Sequence, residues 1–165
     1  MRPCVFPESQ SDALSGKIIL LNGASSSSKS TLATALQDRL EQPFWHFSID
    51  HLDAAGVLPQ ARITSGEFTW STLRPHFFEG FHRCIPVLAE AGNNLIVEHI
   101  VEAEDWMQRL LRLLGHAITH TFALYDMEVD ATLPVDGNVD SVIAAWRARR
   151  RPSAFDRMAR RAVTP

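Results

Sequence analysis

The sequence predicts an α/β domain in which helices cover both faces of a short parallel sheet of about four strands. Short apolar runs alternate along the chain with segments whose apolar residues recur every three or four positions. Such alternation of strands and helices is typical of parallel sheets. A hydroxyl-rich stretch that opens with glycine follows the first apolar run, where a strand meets a helix. Ligands of parallel sheets bind at the carboxyl ends of the strands, so we expect the functional site there.

Four segments have strand character. Residues 18–22, 45–49 and 94–99 are short apolar runs, as expected for strands that are buried on both faces. The fourth segment, residues 121–130, instead alternates apolar with acidic side chains over positions 125–130, which indicates one solvent-exposed face and an edge position.

Helical segments fill the intervals between these strands. The first is predicted from Leu32, Leu36 and Leu40, which recur every four residues behind a start near Lys29. The others are 69–91 with interruptions at Pro75 and Pro86 and an end at Gly92, 102–114, and a helix that begins near Asp136 or Asn138. Residues 51–66, which contain glycines and a proline, are predicted to form a substrate-facing loop.

Length and charge fit one domain followed by a distinct tail. The chain has 165 residues, enough for one hydrophobic core. Residues 147–165 hold seven arginines and one acid, whereas residues 1–146 hold nine basic and eighteen acidic residues. We therefore divide the chain into a flexible lead-in (1–15), a domain (16–146) and a basic tail (147–165). No binding motif accompanies the tail's charge, so we expect it to fold back on the acidic body and not to bind nucleic acid.

The composition also argues against a membrane or secreted protein. No stretch approaches the ~20 apolar residues of a membrane span. The lead-in contains Glu8 and Asp12 and lacks the apolar core of a signal peptide. The two cysteines, Cys4 and Cys84, make no metal or disulfide pattern. We therefore expect a cytoplasmic protein with no membrane partner.

The stretch after the first strand resembles a phosphate-binding loop. Gly23, Lys29 and Ser30 fit G-x-x-x-x-G-K-[ST], with Ser28 in place of the second glycine. In such a loop the backbone N–H groups cradle phosphates, the lysine reaches the β- and γ-phosphates, and the hydroxyl of Ser30 holds Mg²⁺. The alternative is a serine-rich surface turn. The predicted nucleotide-binding residues are Gly23, Ala24, Ser25, Ser26, Ser27, Ser28, Lys29, Ser30 and Thr31.

Two carboxylates follow other strands at the same edge of the sheet. Asp50 follows the second strand, and Glu98 lies at the end of the third. In phosphoryl transfer one carboxylate can take the proton of an acceptor hydroxyl while another orders Mg²⁺. We assign Asp50 as the base, with Asp53 as the alternative, and Ser30 with Glu98 as the metal ligands. The structural alternatives are a helix N-cap for Asp50 and a core carboxylate paired with an arginine for Glu98.

Four further polar residues near these positions are expected to be structural. His51 and His99 are predicted to be polar residues of the site's rim. Arg74 and Arg83 are predicted to lie on a solvated helix face and not to contact phosphate or substrate.

One motif is Asn22-Gly23-x-Ser25-Ser26 before Lys29-Ser30, and a second is Asp50 two residues before Leu52. Both motifs resemble those of the chloramphenicol phosphotransferase-like family of P-loop kinases. Residues 125–132 resemble that family's last strand. The resemblance implies a P-loop NTPase with a three-layer, nucleoside-monophosphate-kinase-like fold. It also implies ATP- and Mg²⁺-dependent phosphorylation of a small-molecule hydroxyl, with the residue at Asp50 as the base.

Two departures from the family pattern affect this interpretation. Ser28 replaces a glycine, and a strand, a helix and an arginine-bearing lid are missing between Gly115 and His116. A lid arginine neutralises charge on the transferring phosphoryl group. The alternative function is therefore a catalytically weak or inactive nucleotide-binding protein; a nucleotide kinase is a weaker option. Without the missing strand, residues 121–129 are predicted to pair with residues 18–22. If that edge stays uncovered, a homodimer or an unstable domain is expected.

Overall fold

A computed structural model of the protein describes residues 16–25, 27–101, 104–114 and 126–149, together with Ser153 and Arg157. The predicted lead-in (1–15) and Ser26 lie outside the described residues. Within them the strands are β1 (Ile18–Asn22), β2 (Phe44–Ser48) and β3 (Asn94–His99). The helices are α1 (Lys29–Arg39), α2 (Ile49–Ala54), α3 (Gln60–Thr64), α4 (Trp70–Glu90), α5 (Glu104–Leu114) and α6 (Val135–Ala148).

The three strands form a parallel sheet in the order β1-β3-β2. The register pairs Asn22 with His99 and Ser48 with Glu98. The three carboxyl ends therefore lie level with one another, and the segments that follow them meet at one edge of the sheet. β3 is the central strand of the described sheet, and β1 lies at its border.

The two faces of the sheet carry separate apolar clusters, as alternating side-chain direction along a strand requires. One cluster joins the sheet to α4 and α5 and consists of Ile18, Leu20, Phe81, Ile85, Ala89, Leu95, Val97 and Leu110. The other joins it to α1 and α6 and consists of Ile19, Leu32, Ala33, Leu36, Phe44, Ile96, Val139, Val142, Ile143 and Trp146. The predicted three-layer α/β fold is therefore confirmed. None of the described helices is both long enough and apolar enough to cross a membrane.

The predicted loop over residues 51–66 is wrong, because this region contains the short helices α2 and α3. α2 is capped by Ser48, whose hydroxyl accepts a hydrogen bond of 3.1 Å from the backbone N–H of His51. Gly56 and Gly66, with φ of +72° and +79°, follow the ends of the two helices. Neither helix has a buried residue, so no apolar periodicity reveals them in the sequence.

The predicted interruptions of α4 at Pro75 and Pro86 are also wrong, because the helix is continuous across both residues. Each proline removes one backbone donor. The helix nevertheless buries a long apolar side, with Phe81 and Ile85 packed against the sheet. Its end was predicted correctly: Gly92 has a φ of +88°, which suits glycine after a helix.

The predicted fourth strand is not formed by the residues that the structure describes. Residues 126–130 have no strand pairing, and the rest of that prediction, 121–125, lies outside the described part of the chain. The side chain of Asp130 accepts hydrogen bonds of 2.9 and 2.7 Å from the backbone and hydroxyl of Thr132. This local turn directs the chain toward α6. Residues 126–129 do not form the predicted pairing with β1.

Two arginines of the basic tail contact acidic residues of the domain, as expected. Arg147 Nη2 lies 2.6 Å from Glu41 Oε1, and Arg157 Nη2 lies 3.8 Å from Asp126 Oδ1. Arg147 also belongs to α6, which continues to Ala148, so the predicted start of the tail falls within this helix.

Candidate active site

A cavity of about 470 Å³ lies at the carboxyl edge of the sheet. It is lined by the loop after β1, by Asp50 after β2 and by Glu98 at the end of β3, so three sites predicted separately come together. The loop residues in its lining are Ser25, Ser27, Ser28, Lys29, Ser30 and Thr31. Gly23 lines a neighbouring cavity of about 320 Å³ beside β1, which Ser27 and Lys29 also line.

Ser28 holds the backbone conformation that explains why glycine is usual at its position in the motif. Its φ of +56° and ψ of 22° are left-handed, and among the described residues it is the one non-glycine residue with a positive φ. Glycine adopts this conformation without a steric penalty, whereas a side chain opposes it. Serine at this position therefore keeps the loop's shape at some cost in stability.

The loop is compact around its first glycine and its lysine. A Cβ atom added at Gly23 would lie 3.0 Å from Ser27 Oγ, so a larger residue would crowd the loop. Lys29 Nζ donates a hydrogen bond of 2.7 Å to the carbonyl oxygen of Ala24 and lies 3.4 Å from Ser27 Oγ. Lys29 is only 8% exposed, so its ammonium group is held across the loop.

Glu98 connects the loop to the sheet. Ser30 Oγ donates a hydrogen bond of 3.0 Å to Glu98 Oε1, and His46 Nε2 lies 2.9 Å from Glu98 Oε2. Burial lowers the pKa of His46, an effect that the hydrogen bond to Glu98 partly opposes. A neutral His46 can donate its Nε2–H to the carboxylate. Within the part of the chain that the structure describes, Glu98 is thus held by a serine and a histidine, and not by the arginine of the structural alternative.

Asp50 lies in the first turn of α2, where it is exposed to the cavity. The N-cap alternative for Asp50 is wrong, because Ser48 occupies that position. Asp53 accepts a hydrogen bond from Gln60 and is not among the described residues that line the cavity. Of the two predicted bases, Asp50 is therefore the one that lies at the site.

An aromatic wall closes one side of the cavity. Phe78 of α4 and Trp106 of α5 stack with ring centroids 4.4 Å apart, and both line the cavity. Arg74 Cζ lies 4.9 Å from the Phe78 centroid and 4.7 Å from that of Trp106. The solvated position predicted for Arg74 is therefore wrong. Arg83, in contrast, is largely exposed and pairs with Glu79, as expected for a solvated helix face.

His99 lines the cavity but is only 3% exposed, so it lies in the cavity wall and not at the rim where it was predicted. Its Nδ1 accepts a hydrogen bond of 2.9 Å from the N–H of Ile100, so a neutral His99 carries its proton on Nε2. That Nε2 lies 2.8 Å from Nε2 of His82, which must then be the acceptor. Burial lowers the pKa of His99 to about 3, with smaller effects from His82 and Lys29. His51 is exposed, as predicted.

Sequence patterns did not reveal several side chains of this site, among them His46, which contacts Glu98, and Phe78 and Trp106, which line the cavity. His46 shares a strand face with Ser48, and the two-residue period of β2 is a signal that could have found it. Phe78 and Trp106 lie within the segments 69–91 and 102–114, which were predicted only as helices. Nothing in their spacing distinguishes a cavity wall from the core.

Residues 16–119 match the family model of chloramphenicol phosphotransferase-like proteins. The chain belongs to this family. Two Mycobacterium tuberculosis proteins, from strains CDC 1551 and H37Rv, have names that describe them provisionally as O-phosphotransferases. Each is 29% identical over 117 residues, which cover 59% of this chain and 52% of the relative. The chain therefore spans about half the length of the curated relatives that it matches.

The fold of the chain is similar to that of a solved kinase structure. The APS kinase CysC of Mycobacterium tuberculosis, solved as a cysteine-to-alanine mutant, superposes with a TM-score of 0.62 at 14% identity. The match covers 81% of this chain and 99% of that one. Family and fold together place the protein among the P-loop, kinase-like proteins, as the motif around Lys29 predicted.

Proposed function

We propose that the protein is a phosphotransferase that moves the γ-phosphoryl group of ATP to a hydroxyl group of a small molecule. The observation that carries this proposal is the single cavity lined by the phosphate loop, Glu98 and Asp50. A phosphate loop alone supports nucleotide binding. A carboxylate that lines the same cavity adds the base that transfer to a hydroxyl requires.

The residues of the loop fit ATP with Mg²⁺. Ser28 supplies the left-handed turn of the loop, and the buried Lys29 supplies a positive charge beside it. Ser30 and Glu98 offer oxygen ligands 3.0 Å apart, the chemistry that Mg²⁺ prefers. When bound, ATP would supply the transferable phosphoryl group, and Mg²⁺ would neutralise part of its charge.

Asp50 would take the proton of the acceptor hydroxyl. As the acceptor oxygen forms its bond to the γ-phosphorus, the bond from that phosphorus to the bridging oxygen breaks and ADP leaves. The proton moves from the acceptor oxygen to a carboxylate oxygen of Asp50. The wall of Phe78 and Trp106 would contact the carbon skeleton of the acceptor and exclude water from the reacting oxygen.

A second candidate function is nucleotide binding with little or no transfer. The observation that favours it is that Lys29 is the one lysine or arginine among the described residues that line the cavity. Phosphoryl transfer commonly uses a second cation to stabilise charge, and its loss costs several orders of magnitude in rate. The interval in which the missing lid was predicted, 115–116, lies outside the described residues.

One experiment separates these functions. Purified full-length chain is tested for Mg²⁺-dependent ATP binding and, in parallel, for ADP formation with a panel of hydroxylated compounds. Acceptor-dependent ADP formation that is lost in Asp50→Asn supports the transferase. Binding of ATP without acceptor-dependent ADP formation supports the second candidate. Absence of ATP binding contradicts both proposals.

A further inference from the structure

We infer that His46 is a positioning residue for the metal site: its Nε2–H holds the Glu98 carboxylate in the orientation in which it meets the Ser30 hydroxyl. The inference rests on the proposed function, because it assumes that Ser30 and Glu98 take up a divalent cation. Neither the family match nor the motif assigns a role to His46. Its role is evident only from its contacts.

The three side chains form a continuous chain of hydrogen bonds. His46 Nε2 lies 2.9 Å from Glu98 Oε2, and Ser30 Oγ lies 3.0 Å from Glu98 Oε1. Each carboxylate oxygen therefore has its own partner. The side chains of His46 and Glu98 are only 6% and 9% exposed, so water competes little for these contacts.

The sheet register places His46 where it can do this. In the β2–β3 pair, Ser48 lies opposite Glu98 and His46 lies opposite Ile96. Residues two apart on a strand face the same side, so His46 and Glu98 both lie on the α1 face of the sheet. Phe44 and Ile96 lie on that same face and belong to the core beneath α1, which holds both strands in place.

The backbone of β2 at His46 is itself held. His51 Nδ1 lies 3.2 Å from the carbonyl oxygen of His46, and the two rings meet edge to face with centroids 4.3 Å apart. The imidazole of His46 is therefore attached to a well-held strand, and its Nε2 contacts the buried Glu98 carboxylate. Residues that orient a metal ligand in this way commonly change metal affinity by 10- to 100-fold when they are removed.

A pair of substitutions tests the inference. Glutamine can place its Nε2 amide close to the position of the histidine Nε2, whereas asparagine is too short to reach Glu98. We measure the Mg²⁺ dependence of fluorescent ATP-analogue binding, with binding in EDTA as the metal-free reference and thermal unfolding as the stability reference. His46→Asn should weaken the apparent Mg²⁺ affinity roughly 10-fold or more. His46→Gln should restore most of it, and binding in EDTA should not change in either variant.

His76→Gln is the matched control, because this histidine is exposed on α4 and is not among the described residues that line the cavity. It should leave the Mg²⁺ affinity at the wild-type value. Equal Mg²⁺ affinity in His46→Asn, His46→Gln and wild type would overturn the inference and leave His46 with a purely structural role, whatever the melting temperatures.

Glu98→Gln separates this outcome from failure of the proposed metal site. If Glu98→Gln weakens the Mg²⁺ affinity and His46→Asn does not, only the positioning role is wrong. If Glu98→Gln has the Mg²⁺ affinity of the wild type, Glu98 is not a metal ligand. The assignment of Glu98 under the proposed function and the role of His46 then both fail.

Discussion

The hydroxyl of Ser30 donates a hydrogen bond of 3.0 Å to Oε1 of Glu98, and this contact joins the first turn of α1 to the end of β3. The two residues are 68 positions apart in the sequence. They meet because β1 and β3 pair in parallel and end level with each other, which brings the loop after β1 over the last residues of β3.

Lys29→Ala should abolish ATP binding, because it removes the positive charge that lies within the phosphate loop. The chain has one other lysine, Lys17, which provides a matched control. Its ammonium group contacts Gln42 and not the phosphate loop, so Lys17→Ala should bind ATP like the wild type. Calorimetric titration with Mg²⁺ and ATP measures both variants. Wild-type affinity in Lys29→Ala would contradict the phosphate-loop interpretation.

Ser28→Gly should stabilise the protein by about 1 kcal/mol, because glycine adopts the left-handed conformation without a side-chain penalty. ATP binding should be intact or stronger. Ser25→Gly is the control: Ser25 has no positive φ, so added chain flexibility should leave its stability equal or slightly lower. Urea unfolding gives both stabilities. A loss of ATP binding in Ser28→Gly would mean that the Ser28 side chain itself contributes to the site.

Asp50→Asn should lower the rate of phosphoryl transfer by roughly 10²–10⁴, the usual contribution of a general base. The amide keeps the size of the side chain but cannot take the proton, so folding and ATP binding should persist. Asp53→Asn should retain activity, because Asp53 faces Gln60 outside the cavity. Initial rates with a reactive acceptor measure both. If Asp50→Asn turns over at the wild-type rate, the role passes to Asp53 or Glu98.

The stability of the protein should fall as the pH is lowered below about 6, in part because of His99. Its pKa is about 3 in the folded chain, whereas an ordinary histidine has a pKa of 6.5, so between these values the unfolded chain binds the proton that the folded chain excludes. The contribution of His99 to the free energy of unfolding is therefore fully present above pH 6.5. It decreases as the pH falls toward 3, by up to about 1.4 kcal/mol per pH unit.

Urea unfolding at several pH values checks the contribution of His99. His99→Gln keeps an amide donor near His82 but has no group that titrates in this range, so its stability should depend less on pH than that of the wild type. Identical pH dependence in the two proteins would show that His99 is not responsible. Comparison of slopes removes any constant loss of stability caused by the substitution itself.

The local features of this fold were determined by the sequence alone. Apolar runs predicted all three described strands to within one residue, and the spacing of leucines predicted the helix that starts at Lys29. The motif around Gly23 and Lys29 predicted the position of the phosphate loop. These signals depend on residues close together in the chain, because strand and helix periods and loop motifs are local properties. The topology rule for parallel sheets then placed Asp50 and Glu98 at the same edge.

Contacts between distant segments were decided only by the tertiary structure. The continuity of α4 across Pro86 is favoured by the burial of Ile85 and Ala89 in the core, which outweighs the local effect of a proline. The burial of His99 against His82, the position of Arg74 over two aromatic rings and the contact of His46 with Glu98 each join separate elements. A one-dimensional pattern records what each residue is but not what lies beside it. The direction and surroundings of these side chains therefore became defined only when the strands paired and the helices packed onto them.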